Sequence, residues 1–232
     1  MWRGILRNNS WLAAILLLTA CTAVNPHIDH IMLGAANLDS GIRELEALTG
    51  IRAVYGGEHP HLGTHNALIS LGPQTYLEVI APRDGAKLDA DLAGLTKLEH
   101  ITPVGWAVGV SDMRALRRQL AKSGIKSTTP RPGSRKTPSG DVLRWELVDI
   151  EPSFDNAPFF IQWADMSKHP AKTSPGGCSL TSIELEDPQA KELTRIEQAL
   201  GLNVAIHEAK TPAMSVTLNC AGKSVQISKS SK

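Results

Sequence analysis

The residues best suited to chemistry lie between His27 and Pro82. Of the chain's eight histidines, His27, His30, His59, His61 and His65 fall in this stretch, and Glu78 sits among apolar neighbours in the strand-like run TYLEVIAP. Imidazoles and a carboxylate on neighbouring strands can hold a divalent metal or move a proton near neutral pH. Glu78, between Leu77 and Val79, must face either solvent or a cavity, because burying a carboxylate unpaired is costly. His30 reads either as a ligand or base, or as a strand histidine satisfied by a backbone carbonyl.

Further candidates flank this pair. Gly63-Thr64 reads as a tight turn, after which His65 and Asn66 point to opposite faces of a strand. Asn66 in a cavity would offer donors and an acceptor to a polar substrate; otherwise it bonds its own turn. Downstream, Arg144 and Trp145 share a strand, and Trp106 and Trp163 lie on others. An arginine beside an aromatic pocket favours an anionic substrate. The alternatives are core packing for the tryptophans and a solvated Arg144.

Three stretches must position these residues: HIMLGAANLDSGIRELEALTGI, GWAVGVSDMRALRRQLAKSGI and LTSIELEDPQAKELTRIEQALGL. Each gives an apolar strand, a capped amphipathic helix and a glycine stop. The first predicts a helix with Ile42, Leu45 and Leu48 inward, the second one with Leu116 and Leu120, the third one with Leu193, Ile196 and Leu200. Strand-like runs follow each helix: RAVYGG, NALISLG and TYLEVIA, then VLRWELVDI and PFFIQWA, then NVAIHEA, MSVTLNC and SVQIS. The pattern is βαβββ, twice in full and a third time compressed, so the modules bury a shared surface. Asp84 to Thr102 and Lys168 to Gly177 read as linkers. Arg131, Arg135 and Lys136, mixed with Pro and Gly, read as a solvated or ligand-facing loop.

At a net charge of +1 with no basic stripe, the chain offers nucleic acid no electrostatic footprint. No GxSxG, Walker A or GxGxxG pattern is present. Residues 1–21 read as an export signal: Arg3 and Arg7, a short apolar run, then Leu18-Thr19-Ala20-Cys21. That ending resembles the lipobox of bacterial lipoproteins, which implies a lipid on Cys21, a membrane attachment and a periplasmic location. Only Thr22 to Pro26 would tether the anchor to the first strand, which favours ordinary cleavage instead. In an oxidising compartment Cys178 and Cys220 would either pair or stay as buried thiols.

The βαβββ duplication, with DHIMLGAANLD opening and TYLEVIAP closing the first module, resembles the vicinal oxygen chelate superfamily. HPHLGTHNALISLG, TYLEVIAP and PFFIQW resemble its glyoxalase-like branch. The resemblance implies an α+β fold of paired βαβββ modules curving around a cavity, spanning 26–165, with a C-terminal βαβ-type half module over 178–228. It also implies a divalent metal (Zn, Fe, Mn or Ni) on the first and last strands of each module. The matching positions are His30 and Glu78 in the first module, with Gly105 and Gln162 in the second. Two ligands match, one is an amide and one is missing, so His59, His61 or His65 would complete the set. The implied activity is lyase or isomerase chemistry on a small polar or anionic molecule. His30, Glu78 and His59 would be catalytic, and Asn66, His65, Arg144 and Trp106 would line the substrate. A metal-free pocket with His30 and Glu78 as base and partner fits the same residues, and so does a non-catalytic binding protein. Pairing of modules within one chain or in a homodimer stays open.

Overall fold

The computed structural model describes residues 24–229. The expected export signal and Cys21 lie outside them.

The first module runs β1 (His27–Gly34), α1 (Leu38–Thr49), β2 (Val54–His59), β3 (Thr64–Ser70) and β4 (Tyr76–Pro82). The Asn37 side chain accepts the Ser40 N–H at 3.1 Å to start α1, and Gly50, with φ of 75°, ends it. Leu38, Ile42 and Leu45 are buried, whereas Leu48, expected inward, is 45% exposed.

After a 3-10 segment at Ala90–Lys97, the second module repeats the order: β5 (Thr102–Gly109), α2 (Met113–Lys122), β6 (Arg131–Lys136), β7 (Val142–Asp149) and β8 (Phe159–Trp163). The stretch read as a loop at Arg131 to Lys136 is therefore the strand β6. Pro132 and Gly133 hid it, and both are tolerated because β6 is an edge strand that pairs only with β7.

The two modules form one 8-stranded sheet in the order β2-β3-β4-β1-β5-β8-β7-β6. Each half repeats the other's arrangement, and β1 and β5 join them as an antiparallel pair within one chain. The sheet curls until its edges meet. Gly57 of β2 packs so close to β6 that a Cβ would collide with the Lys136 carbonyl, at a φ of 140° that glycine tolerates.

Alternate residues divide between the two faces. Leu77, Val79, Trp106, Val108 and Phe160 join the main core beneath the helices. Leu68, Tyr76, Ala107, Ile161 and Trp163 form a second cluster on the concave face.

After α3 (Pro170–Thr173), the third unit runs β9 (Cys178–Asp187), α4 (Ala190–Leu200), β10 (Ala205–Glu208), β11 (Ala213–Cys220) and β12 (Lys223–Ser228). It keeps the element order but not the pairing. Its 4-stranded sheet is ordered β10-β9-β11-β12, with β9 and β10 parallel across α4. Cys178 and Cys220 face each other across β9 and β11 and form a disulfide. This sheet packs on β5, and α4 on α2.

Candidate functional site

The centre of the site comes from an irregularity in β1. Its register with β5 passes from Ile28 opposite Val108 to His30 opposite Ala107, which leaves Asp29 as an extra residue. A bulge of this kind re-aims side chains, and here Asp29 and His30 both turn to the concave side. The Asp29 carboxylate, fully buried, lies 2.7 Å from His30 Nδ1 and 3.0 Å from both Trp163 Nε1 and His169 Nε2. His169 Nδ1 accepts the Ala171 N–H at 3.2 Å, so its Nε2 carries the proton and donates to Asp29.

Three N–H groups therefore converge on one carboxylate. Burial works to raise the Asp29 pKa, but hydrogen bonds from His169 and His30 hold it well below the usual carboxylate range. An ionised Asp29 can only accept. The proton at the Asp29 contact therefore sits on His30 Nδ1, and in the neutral ring Nε2 is a free lone pair. Stacking on Tyr76 at 4.7 Å and an edge contact with Phe159 at 5.4 Å fix the plane of this ring.

His30 Nε2 faces Glu78 Oε2 across 3.7 Å, too far for a hydrogen bond. Glu78 is brought there by β4, whose alternation turns Tyr76, Glu78 and Ile80 into the cavity. Asn66 Nδ2 donates to Glu78 Oε1 at 2.7 Å, and His59 Nε2 lies 4.0 Å from the same oxygen. Burial keeps the His59 pKa below its ordinary value, although the Glu78 charge pulls the other way. Burial also drives the Tyr76 phenol well up, reinforced by the charges of Asp29 and Glu78. At neutral pH His59 is an uncharged imidazole and Tyr76 an intact hydroxyl. These groups line a chamber of about 100 Å³, walled by Met32, Trp145, Ile161 and Trp163.

The structure thus brings together His30, Glu78, His59 and Asn66 from the sequence-derived set. The remaining candidates lie elsewhere. Gln162 points to the helix side of β8, where its Oε1 accepts the Met113 N–H of α2 at 2.6 Å. His65 lies on the opposite face of β3 from Asn66, edge-on to Tyr55. Trp106 belongs to the main core and donates to the Asn156 carbonyl. Arg144 is exposed on the outer rim.

The sequence reading missed Asp29, Tyr76 and His169 as site residues; it had Trp163 among the tryptophans near a pocket, and Arg135 only as part of a solvated or ligand-facing loop. A bulge at Asp29 has no sequence signal, and His169 was hidden in a stretch read as a linker.

Residues 28–201 match the glyoxalase-like domain family. The chain belongs to that family, within the vicinal oxygen chelate superfamily. No curated protein matches the chain. Among solved structures, a hypothetical protein from Staphylococcus aureus shares 16% identity at a TM-score of 0.59, covering 88% of this chain and 85% of that one. That likeness shows the fold. Methylmalonyl-CoA epimerase from Mycobacterium tuberculosis shares 20% identity at a TM-score of 0.42, covering 59% of this chain and 85% of its own.

Glyoxalase-like proteins commonly hold a divalent metal, but the side chains here do not make that site. In the second module Gly105 cannot carry a ligand without displacing a wall of the chamber, since a Cβ there comes within 2.7 Å of Met32 Cε. Ala107 and Ile161, which face the cavity from β5 and β8, are apolar. In the first module His30 and His59 face different oxygens of Glu78. Among the described residues, no group of three or more His, Cys, Asp or Glu side chains is placed to hold a metal ion.

Proposed function

We propose that this glyoxalase-like protein is a lyase or isomerase that moves a proton at carbon, with His30 and Glu78 as its proton-handling pair. The observation that carries this reading is the Asp29-held His30, whose Nε2 faces Glu78 across 3.7 Å inside a buried chamber. A hydrogen-bonded pair would be closed to substrate. At this separation both atoms stay open to the chamber, and a reacting carbon seated beside the pair can lie about 3–3.5 Å from each.

In such a step His30 Nε2 takes the proton from a C–H beside a carbonyl, and Asp29 carries the counter-charge for the imidazolium. The C–H electrons move to the carbonyl oxygen, where Tyr76, kept protonated, is the available donor. Delivering a proton to the opposite face of the same carbon, with Glu78 as the second proton-handling group within reach, completes an isomerisation and the carbonyl re-forms. Alternatively, the enolate expels a leaving group from the carbon beyond the C–H carbon. The group departs with its bonding pair and takes the proton held by His30, and this completes a lyase reaction. Asn66 orients the Glu78 carboxylate throughout.

The test is deuterium exchange, followed by NMR, into the C–H positions of a panel of small oxo compounds in D₂O. Exchange that wild type catalyses, and that His30→Gln and Glu78→Gln lose by roughly 10²-fold or more, supports the reading. Ligand binding without exchange would make the molecule a binding protein.

We also infer that the protein is exported and lipid-anchored through Cys21. The cross-strand disulfide supports an oxidising compartment. Palmitate labelling that disappears in Cys21→Ala tests it, and an unlabelled wild type would contradict it.

A further inference from the structure

Arg135 is the one arginine buried among the described residues, at 5% exposure. Of the six residues of β6 it alone is buried. The curl of the sheet puts it there: Nη1 donates to the Gly56 carbonyl of β2, where the sheet edges meet. That uses one of the five N–H donors of a guanidinium.

Other arginines have carboxylate partners, as in exposed Arg52–Glu46 and Arg131–Asp149 and half-buried Arg83–Glu58. Among the described residues no carboxylate lies within ion-pair distance of Arg135, and Gly56 is its one hydrogen-bond partner. A buried, unpaired cation is costly unless something else supplies the anion.

Its position says where that anion would sit. Arg135 lines the inner chamber with His30 and Glu78, and also an outer pocket of about 540 Å³ with Tyr55, His61, Lys136 and Glu58, whose carboxylate is paired with Arg83. It stands at the neck between the two. The inner chamber, about 100 Å³, has room for roughly three waters' worth of substrate. Only the reacting end of a molecule fits inside, so a charged group beside it would lie at the neck.

We propose that Arg135 is the anion-recognising group of this pocket, and that the molecule taken is a small oxo-carboxylate whose carboxylate is held at the neck. The inference rests on the proton-transfer reading for what happens in the chamber, and adds the substrate class. A planar guanidinium with free donors pairs with a carboxylate through two parallel hydrogen bonds, which fixes the angle at which the neighbouring carbon enters.

The test compares acetoacetate with its methyl ester by titration calorimetry on wild type, Arg135→Gln and Arg144→Gln. A charge-assisted pair predicts that wild type and Arg144→Gln bind the carboxylate at least about tenfold tighter than the ester. In Arg135→Gln the two affinities become equal, with the ester unchanged. On the wild type alone, the Arg135 Nε–H resonance shifts with acetoacetate and not with the ester, which keeps the test decisive if Arg135→Gln does not fold. Equal affinities in wild type, no binding of either probe, or a preference that survives Arg135→Gln overturns the proposal.

Deuterium exchange is read separately on the same samples. Carboxylate-selective binding without exchange keeps Arg135 in its role and removes the proton-transfer reading. Exchange indifferent to both the carboxylate and Arg135 does the reverse.

Discussion

Asp29 and His30, consecutive in β1, hydrogen-bond side chain to side chain at 2.7 Å because the bulge turns both to the same face. In a regular strand consecutive residues point to opposite faces. The rest of the site depends on this departure. It lets a fully buried carboxylate set the proton of His30 on Nδ1 and leave Nε2 open to the chamber. Trp163 and His169, from β8 and the segment before α3, complete the carboxylate's partners and tie the second module to β1 of the first.

Asp29→Asn removes the charge and allows the amide to donate to His30 Nδ1, which favours the wrong tautomer. Any proton transfer should fall by roughly 10²–10⁴-fold, as for general acid–base groups that lose their orientation. The fall should appear in kcat rather than KM, and steady-state kinetics on any substrate found by exchange would check it.

Trp163→Phe keeps the ring and deletes one donor to Asp29. A carboxylate left short of a partner should lower unfolding free energy by about 1–3 kcal/mol. Denaturant unfolding measures it, and an unchanged midpoint would mean that the Nε1–H does not support Asp29.

Acid should destabilise the protein in two steps. The folded His59 pKa is depressed below the ordinary 6.5, so the unfolded chain binds the extra proton first. Stability is full above 6.5 and falls as pH drops from there through the folded value. The folded Asp29 pKa lies below the ordinary 3.8, so its contribution is lost only as pH falls below 3.8 and through that lower value. Unfolding midpoints across pH should show both steps, with His59→Gln removing the first and Asp29→Asn the second.

Gln162 and Glu78 should separate cleanly. Gln162→Ala deletes an acceptor for the first N–H of α2, at a cost of about 1 kcal/mol in stability, and leaves exchange intact. Glu78→Gln should abolish exchange. Chelator treatment of the wild type should change neither exchange nor unfolding, since the side chains around Glu78 do not form a metal site.

Much of the fold was legible because it is written in local signals. Asn37 and Asp112 cap helices where the sequence places them, Gly50 and Gly201 end them, and alternation in TYLEVIAP puts Glu78 on the cavity side. The strand β6 was not legible, because its Pro132 and Gly133 read as a loop while the partner that makes it a strand is β7. The pairing order of the third unit depends on which strands meet, and its βαβββ string is the same for either order. Within the site, His30 and Glu78 could be named from sequence. Asp29 and His169 could not, since a register shift and a linker bring them in, and Arg135 could be read as ligand-facing but not as buried, since the meeting of two sheet edges buries it.

The most direct test of the site is the tautomer of His30, read by ¹⁵N NMR of histidine-labelled wild type on the uncharged ring. The expected result is a proton on Nδ1 and an unprotonated Nε2, with the order lost or reversed in Asp29→Asn. A proton on Nε2 in the wild type would contradict it, because the nitrogen facing Glu78 would then have no lone pair with which to take a proton.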